Sequence, residues 1–341
     1  MKVRDFSSSN RILRKIIYFY AMHTYRTIDP ATRLDWMDWA KSFAIFFIVL
    51  GHLRSPISGY MFYFHIPFFF LLSGFLQKRR PFSEELKRSA RSLLLPYVIY
   101  NVYLLIYSYF TGDYKPGYVV AMLLGNQWEL SMACRPLWFL LSLFAVRIVY
   151  SLVNEKWSYV LAVLCIVGAM VARRFEVLRP EGDYFQLWTA MICFPFFTLG
   201  RIINRFSLHK TLGSCNIALR IIASVSLIAL GLFISSKNGG VNIFRCSPGK
   251  IIPLFYLAAS MVSFGLVMLI YNVFDFRCNY IRLVSESTLM IFAIHQSILW
   301  PMHSLFNGTL WMALTTALLT ILILSGLAWI ARRYCPVLLG K

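Results

Sequence analysis

About ten apolar stretches, each close to the length of a membrane-spanning helix, follow one another along the 341-residue chain. Inside a bilayer the backbone has no water to bond, so such stretches fold as helices whose hydrogen bonds are internal. We therefore predict an all-α fold, a polytopic transmembrane helical bundle of about ten spans. The approximate limits of the spans are 39–54, 58–77, 92–111, 136–153, 157–172, 184–203, 216–235, 251–273, 287–302 and 309–331.

The composition leaves little room for a soluble domain. Hydrophobic residues make up 59% of the chain and charged residues only 14%, and the mean hydropathy is +0.64. The net charge of +20 would suggest a nucleic-acid partner if it lay on one soluble face. The basic residues are instead spread among short loops, which favours contact with membrane lipids, and we expect no nucleic acid partner.

The distribution of basic residues predicts the orientation. With both termini in the cytoplasm, 23 lysines and arginines fall on the cytoplasmic side and nine on the outer side. We expect this orientation because inner loops of membrane proteins carry the excess of positive charge. The chain then divides into a basic cytoplasmic or interfacial segment (1–38), a transmembrane domain (39–331) and a short cytoplasmic tail (332–341). Residues 10–25 are expected to form an interfacial helix, and no cleaved leader is expected.

Ionisable residues mark the first span. Lys41 and His52 are eleven residues apart, so on a helix they lie within roughly 20° of one direction and about 16 Å apart along the axis. Such groups are costly in a membrane and usually face a protein interior or a water-filled cavity, which favours a functional pair. The alternative is structural: Lys41 reaches the interface beside Asp38, and His52 marks the far end of the helix.

The second span and the loop after it add further candidates. His65 comes two residues before Pro67, whose ring should interrupt the backbone hydrogen bonds of the span. In the loop, Ser83 followed by acidic residues predicts a helix start, so Arg88 and Arg91 should share a face suited to clamping phosphates. The structural alternatives are a bond from His65 to a neighbouring carbonyl, and loop arginines that only set topology and contact lipid headgroups.

Six motifs follow one another in order along about residues 33–331. They are Asp38-x-x-Lys41-x10-His52, Phe64-His65-x-Pro67-Phe68-Phe69-Phe70-x-x-Ser73-Gly74, Arg88-x-x-Arg91-x-x-x-x-Pro96-Tyr97, Pro136-Leu137-Trp138-Phe139-Leu140, Phe194-Pro195-Phe196-Phe197-x-x-Gly200 and Ser287-Thr288-Leu289-x-Ile291-x-x-x-His295. Together they resemble the membrane-bound acyltransferase 3 family. Its members are bacterial integral membrane enzymes that O-acylate glycans and related acceptors.

The resemblance implies transfer of an acyl group, usually acetyl from cytoplasmic acetyl-CoA, to a hydroxyl of a glycan or lipid-linked saccharide at the bacterial inner membrane. His52 would be the essential histidine, acting on the acceptor hydroxyl or carrying the acyl group, with Asp38 as the second catalytic residue. Lys41, Arg88 and Arg91 would bind the CoA donor. Relatives often carry arginine at the position of Lys41, and lysine lacks the bidentate fork of arginine.

Four residues are expected at the acceptor site: His65, Trp138, Ser287 and His295. Trp138 is able to stack on a sugar ring, although aromatic residues near span ends more often anchor the chain at the membrane interface. His295 is assigned to the site through the resemblance. Without it, this residue would be predicted as a hydrogen-bond partner between helices.

The remaining polar residues are expected to be structural. No spacing of histidine, cysteine and acidic residues resembles a zinc site, so no metal is expected. His209 and His303 fall in loops and should be solvated. Cys134 and Cys246 fall in predicted outer loops, where oxidation is possible, and the sequence does not decide whether they form a disulfide.

A carrier that moves a glycan or lipid without chemistry is the rival interpretation. Carriers often contain paired interrupted helices in two halves, and ranges 64–70 and 194–197 echo each other. The surrounding sequence does not repeat, and the first half holds most of the charged motifs. We therefore favour an O-acyltransferase.

Overall fold

The computed structural model describes residues 33–211, 213–301 and 308–341. The predictions for residues 10–25 and for His303 lie outside the described residues. The described chain is almost wholly helical, with one short antiparallel hairpin of strands β1 (Val241–Asn242) and β2 (Ser247–Pro248). The α-helices in chain order are α1 (Asp35–Gly51), α2 (Ser58–Met61), α3 (His65–Leu76), α4 (Phe82–Ser89), α5 (Leu95–Phe110), α6 (Tyr118–Leu123), α7 (Trp138–Leu152), α8 (Glu155–Arg174), α9 (Leu187–Arg205), α10 (Ile217–Asn238), α11 (Ile252–Val273), α12 (Asn279–Leu299) and α13 (Leu310–Tyr334).

Eight helical stretches in the described chain are long and apolar enough to cross a membrane. They coincide with eight of the ten predicted spans, and the other two predicted spans fall on α1 and α12. Helix α1 is only 17 residues long, and polar residues such as Glu286 and Gln296 interrupt the apolar character of α12. The prediction of a polytopic helical bundle is confirmed, and the bundle also contains one helix shorter than a full span, α1, and one interrupted by polar residues, α12.

Helices α1 and α12 run side by side. At one end the Ser285 hydroxyl donates to the Asp38 carboxylate (2.7 Å), and at the other end the rings of His52 and His295 lie 4.9 Å apart. Because the contacts follow the same chain order on both helices, α1 and α12 are parallel. The span formed by α10 is only 11% buried, whereas most residues of α1 are buried. Helix α1 and its ionisable residues therefore lie inside the bundle, whereas α10 lies at its periphery.

Helices α3 and α9 carry the two proline-containing motifs and pack directly on each other. A side-chain carbon added at Gly74 would lie 1.9 Å from the carbonyl oxygen of Phe197. One added at Gly200 would lie 1.9 Å from the carbonyl oxygen of Leu71. The two glycines therefore let the backbones touch, as small residues do at many helix crossings in membranes.

We expect Gly74→Ala to destabilise the protein strongly. Overpacking typically lowers the free energy of unfolding by about 1–3 kcal/mol, and the loss should reach or exceed that range because a backbone carbonyl yields less than a side chain. Gly326→Ala in α13 is the matched control, since nothing lies within 4 Å of its added carbon. Thermal melting of both variants in detergent measures the difference. Equal melting temperatures would contradict the close contact.

The break in the second span lies before its proline. Helix α2 ends at Met61 and α3 begins at His65, so Pro67 falls in the first turn of α3. Proline is tolerated there because the first backbone N–H groups of a helix have no partner within it. The predicted interruption is present, but the link 62–64 forms it and not the proline.

The loop arginines lie on a helix that continues into the third span. Helix α4 begins at Phe82, one residue before the predicted start at Ser83. A π-helical turn (Ala90–Leu94) joins it to α5. Arg88 and Arg91 are both exposed; Arg88 lies in α4 just before the π-turn, and Arg91 lies within the π-turn.

After α13 the chain folds back onto the bundle. The short turn Pro336–Leu339 packs near α5, where the Tyr100 hydroxyl donates to the carbonyl of Leu338 (2.7 Å). The Lys341 ammonium then reaches Glu286 on α12 (3.5 Å). This segment covers the end of the bundle at which α1 begins.

Candidate active site

Two cavities lie along α1, one near each of its ionisable residues. The first has a volume of about 190 Å³ and surrounds the residue that follows α1, His52. We call it the histidine cavity. Its lining includes His52, His65, Arg135, Trp138, Arg245 and Gln296.

Three histidines from separate elements meet at this cavity. The ring of His52 lies 4.9 Å from that of His295 and 6.5 Å from that of His65, measured between centroids. His52 is partly exposed, whereas His65 and His295 are buried. His52 and His65 line the cavity, and His295 packs behind His52. The structure therefore brings together all three histidines that the sequence predicted for the site.

Each histidine is oriented by a backbone carbonyl of its own chain segment. The pairs of Nδ1 and carbonyl oxygen are His52 with Ile48 (2.8 Å), His65 with Met61 (2.5 Å) and His295 with Phe292 (2.8 Å). Because a carbonyl only accepts hydrogen bonds, Nδ1 carries the proton of each neutral ring and Nε2 keeps its lone pair. An imidazole held in this way is able to take a proton from a substrate hydroxyl through Nε2.

Aromatic and amide side chains complete the wall of the histidine cavity. Trp138 is only 6% exposed, and its ring stacks on Phe244 with centroids 6.1 Å apart. This position is inside the cavity wall and not at an exposed membrane interface, as Trp300 is with 47% exposure. The amide of Gln296 also lines the cavity. Flat rings and amides of this kind bind saccharides through stacking and hydrogen bonds to hydroxyls.

The second cavity, of about 180 Å³, lies beside Lys41, and we call it the lysine cavity. Its two cationic lining residues are Lys41 and Arg147, in an otherwise mostly apolar wall. In the part of the chain that the structure describes, the buried Nε of Arg147 has no hydrogen-bond partner. The nearby Glu85 is already bonded by Gln77 (2.9 Å) and Ser89 (2.7 Å). The lysine cavity is thus suited to a ligand that brings an anionic or carbonyl oxygen to Arg147.

Phe292 contributes to the wall of both cavities. Its ring packs against that of Phe139, which lines the lysine cavity, with centroids 5.0 Å apart. The histidine and lysine cavities therefore follow each other along α1 and are separated by an aromatic side chain.

Asp38 lies away from both cavities. Its carboxylate accepts two hydrogen bonds from Arg33 (2.7 Å each) and one from Ser285 (2.7 Å). His52 comes fourteen positions after Asp38, which at about 1.5 Å per residue places them roughly 21 Å apart along α1. The structure therefore does not bring together the two residues expected to be catalytic. Asp38 instead ties α1 to α12.

The other predicted binding residues occupy different positions. The Ser287 hydroxyl is buried and donates to the Leu283 carbonyl (2.6 Å), and Ser287 lines neither cavity. Arg88 and Arg91 are exposed and line neither cavity, but Leu93 in the same π-turn as Arg91 lines the lysine cavity. The two arginines thus lie on the segment that leads to the lysine cavity.

Three arginines at the cavities were counted in the sequence only for topology: Arg135, Arg147 and Arg245. Arg147 could have been found, because it falls inside a predicted span, where a charged residue is a candidate functional residue. Arg135 and Arg245 come from two separate loops that the sequence predicts to be outer, and nothing in their spacing indicates that they meet.

Three other expectations concern cysteines, His209 and metals. Cys134 and Cys246 are both free and buried, so the disulfide left open in the sequence is not formed. Burial raises the pKa of both thiols, which keeps them protonated and unreactive. The expectation that His209 is solvated is wrong, since its ring is buried against Trp36 and Tyr271. Within the described residues, no group of three or more histidine, cysteine or acidic residues is placed to hold a metal ion.

Comparison with known families agrees with the motifs. A family model described as an acyltransferase domain matches residues 34–331, nearly the whole chain. Comparisons with curated proteins and with solved structures found no match. The family match indicates acyltransferase activity, and the helices long enough to span a bilayer place that activity in a membrane. The chain therefore belongs to the acyltransferase 3 family of membrane proteins.

Proposed function

We propose that the protein is an O-acyltransferase of the bacterial inner membrane. It transfers an acyl group, acetyl in the simplest case, from cytoplasmic acyl-CoA to a hydroxyl of a cell-envelope glycan or lipid-linked saccharide. The observation that carries this proposal is the pair of cavities that meet at Phe292, one with histidine bases and one with buried cations. A two-substrate reaction across a membrane needs such a pair of sites.

The lysine cavity takes the donor. It lies toward the end of α1 that the basic residues predict to be cytoplasmic, which is where CoA is found. CoA is polyanionic and cannot enter hydrocarbon, so its phosphates stay at the exposed arginines Arg88 and Arg91. Its acylated arm then extends past Leu93 into the cavity, where Lys41 and Arg147 meet the polar groups of the arm.

The histidine cavity takes the acceptor. Nε2 of His52 removes the proton of the acceptor hydroxyl while the hydroxyl oxygen attacks the thioester carbonyl. The carbon–sulfur bond then breaks, the ester forms, and the proton held by His52 passes to the departing CoA sulfur. If His52 carries the acyl group itself, the same Nε2 attacks the thioester first, the carbon–sulfur bond breaks and CoA leaves as the thiolate. The acceptor oxygen then attacks the acyl-imidazole, the bond from Nε2 to the acyl carbon breaks, and the acceptor proton passes to the freed Nε2 and on to the thiolate. In both routes the low water content of the cavity protects the thioester from hydrolysis.

The packing of α3 on α9 argues against the carrier interpretation. The two echoed motifs bring Gly74 and Gly200 into reciprocal backbone contact, so their similarity serves helix packing. A carrier would be expected to place its substrate between such paired helices. His65 and Phe69 of the first motif do line the cavities, but residues 194–197 of the second motif line neither, so the two motifs do not enclose a shared site.

The test is incubation of the purified protein in lipid nanodiscs with radiolabelled acetyl-CoA and a glycan extract of the cell envelope. Release of free CoA thiol and label on the glycan support the proposal, and label on the protein indicates the acyl-histidine route. The assay is repeated with succinyl-CoA to cover a longer donor. Binding of neither donor, together with no thiol release, would overturn the enzyme and favour the carrier.

We expect Arg88→Gln with Arg91→Gln to raise the KM for acetyl-CoA by about a hundredfold. Each charge-assisted hydrogen bond to phosphate contributes about 1.5 kcal/mol, which is roughly tenfold in affinity. Lys87→Gln is the matched control, because Lys87 is an exposed cation of the same helix. A KM that rises equally in the control, or not at all in the double variant, would assign these arginines to topology.

A further inference from the structure

Two arginines line the histidine cavity from separate outer segments. Arg135 begins the short turn before α7, and Arg245 lies in the hairpin between α10 and α11. Both guanidinium groups contact the ring of Trp128, at 5.0 Å for Arg135 and 5.8 Å for Arg245 from the ring centroid. One indole thus holds two cations at the cavity where the acceptor is proposed to bind.

In the described residues this pair has no direct ion-pair partner, although Asp113 and Glu129 act on Arg135 electrostatically from a greater distance. Across residues 33–211, 213–301 and 308–341, neither guanidinium has a carboxylate within ion-pair distance, and Arg135 donates through Nε only to the Leu130 carbonyl (3.4 Å). Other arginines of the chain do have such partners, as Arg205 has in Glu155 (2.7 Å). Two like charges close together in a cavity with apolar walls repel each other and create a strong positive potential.

The hairpin that carries Arg245 is anchored, although the side chain itself is exposed. The side-chain oxygen of Asn242 accepts the backbone N–H of Arg245 (3.2 Å). The next residue, Cys246, is buried with its sulfur 3.9 Å from the carboxylate of Asp183. Arg245 is therefore held at the mouth of the cavity and does not move freely in solvent.

We propose that the acceptor is anionic: a saccharide that carries a carboxylate or a phosphate, held between Arg135 and Arg245. Stacking on Trp138 and hydrogen bonds to Asn242 and Gln296 would hold the sugar ring and its hydroxyls. The negative charge then lies at the mouth, and a hydroxyl faces His52. This inference rests on the proposed function for the transfer step, but the preference for an anion is a property of binding.

The experiment uses three probes with one sugar ring: methyl glucoside, methyl glucuronide and methyl glucoside 6-phosphate. Their affinities for the full-length protein, in nanodiscs of zwitterionic lipid, are measured from the fluorescence of tryptophan at low salt. We expect at least one charged probe to bind about tenfold or more tightly than the neutral probe, with the ratio falling as salt increases. The tighter of the two charged probes identifies the anion. Equal affinities of all three, or no binding of any, would overturn the proposal.

Substitutions assign the preference to the two arginines. Arg135→Gln with Arg245→Gln should abolish the preference, whereas Arg135→Lys with Arg245→Lys should retain most of it. Arg179→Gln is the matched control, because Arg179 is an exposed outer arginine paired with Glu176 and lines neither cavity. Retained binding of acetyl-CoA shows that each variant is folded. A preference that survives in the glutamine variant would overturn the proposal.

The same samples separate this inference from the proposed function. Consumption of acetyl-CoA and of succinyl-CoA by the wild-type protein, in the presence of the glycan extract, is measured in parallel. A charge preference without thioester consumption would overturn the acyl-transfer function and leave the anion site standing. Thioester consumption without a charge preference would overturn the anion site and leave the acyl-transfer function standing.

Discussion

Replacing His52 with glutamine is expected to lower the rate of acyl transfer by about 10²–10⁴-fold, the usual contribution of a general base. Glutamine keeps a polar side chain at the end of α1 but has no nitrogen lone pair that takes a proton at neutral pH. The protein should remain folded, because among the described residues the His52 ring is hydrogen-bonded to the carbonyl of Ile48 alone, within the same helix end. Binding of acetyl-CoA should also persist, since the lysine cavity is a separate site.

The measurement is the rate of acetyl transfer to glycan in nanodiscs, with acetyl-CoA affinity taken from the same preparation. His209→Gln is the matched control, because His209 is also largely buried but lies against Trp36 and Phe75, outside both cavities. It should transfer acetyl at close to the wild-type rate. A His52→Gln rate within a few-fold of wild type would remove His52 from the mechanism.

Two features of the structure follow from sequence patterns within single segments. They are the positions of the helices and the placement of Lys41 and His52 on one face of α1. Apolar length predicts spans because lipid forces the backbone to bond to itself. Helical periodicity predicts that Lys41 and His52 share a face of α1, and each residue lines a cavity along that helix. Both inferences use only residues close in sequence, which is why they do not depend on how the helices pack.

What the sequence could not provide depends on distant contacts. Asp38 stands in a motif with His52, yet its carboxylate accepts hydrogen bonds from Arg33 and Ser285 at the opposite end of α1. Phe292 was unremarkable in the sequence because its role arises only when α12 packs beside α1 and α7. His209 lies in a polar loop, and it is buried because that loop packs against Trp36 in the first turn of α1. No periodicity along one segment contains this information.

The second large effect is expected at Arg147. Arg147→Met should weaken binding of acetyl-CoA by about tenfold or more, because it removes a cation that meets the donor in the lysine cavity. The same change should leave the melting temperature equal or higher. In the described residues the buried Nε of Arg147 has no hydrogen-bond partner, and the nearby Glu85 is bonded by Gln77 and Ser89. A cation compensated so incompletely costs free energy, and an apolar side chain of similar volume removes that cost. A purely structural arginine would show the opposite pair of effects.

Arg201 provides the opposite case for comparison. Its guanidinium donates to the Gln77 carbonyl (2.6 Å) and the Tyr150 hydroxyl (3.2 Å), and Arg201 lines neither cavity. Arg201→Met should therefore lower the melting temperature, because the Gln77 carbonyl and the Tyr150 hydroxyl lose a hydrogen bond. It should leave the acetyl-CoA affinity unchanged, because Arg201 does not line the lysine cavity. Titration with acetyl-CoA and thermal melting in one detergent measure both variants. If Arg147→Met melts lower with unchanged affinity, Arg147 supports the fold and the donor site lies elsewhere. If the two variants differ as expected, the Arg147 guanidinium finds in bound acetyl-CoA the partner that the folded protein does not fully supply.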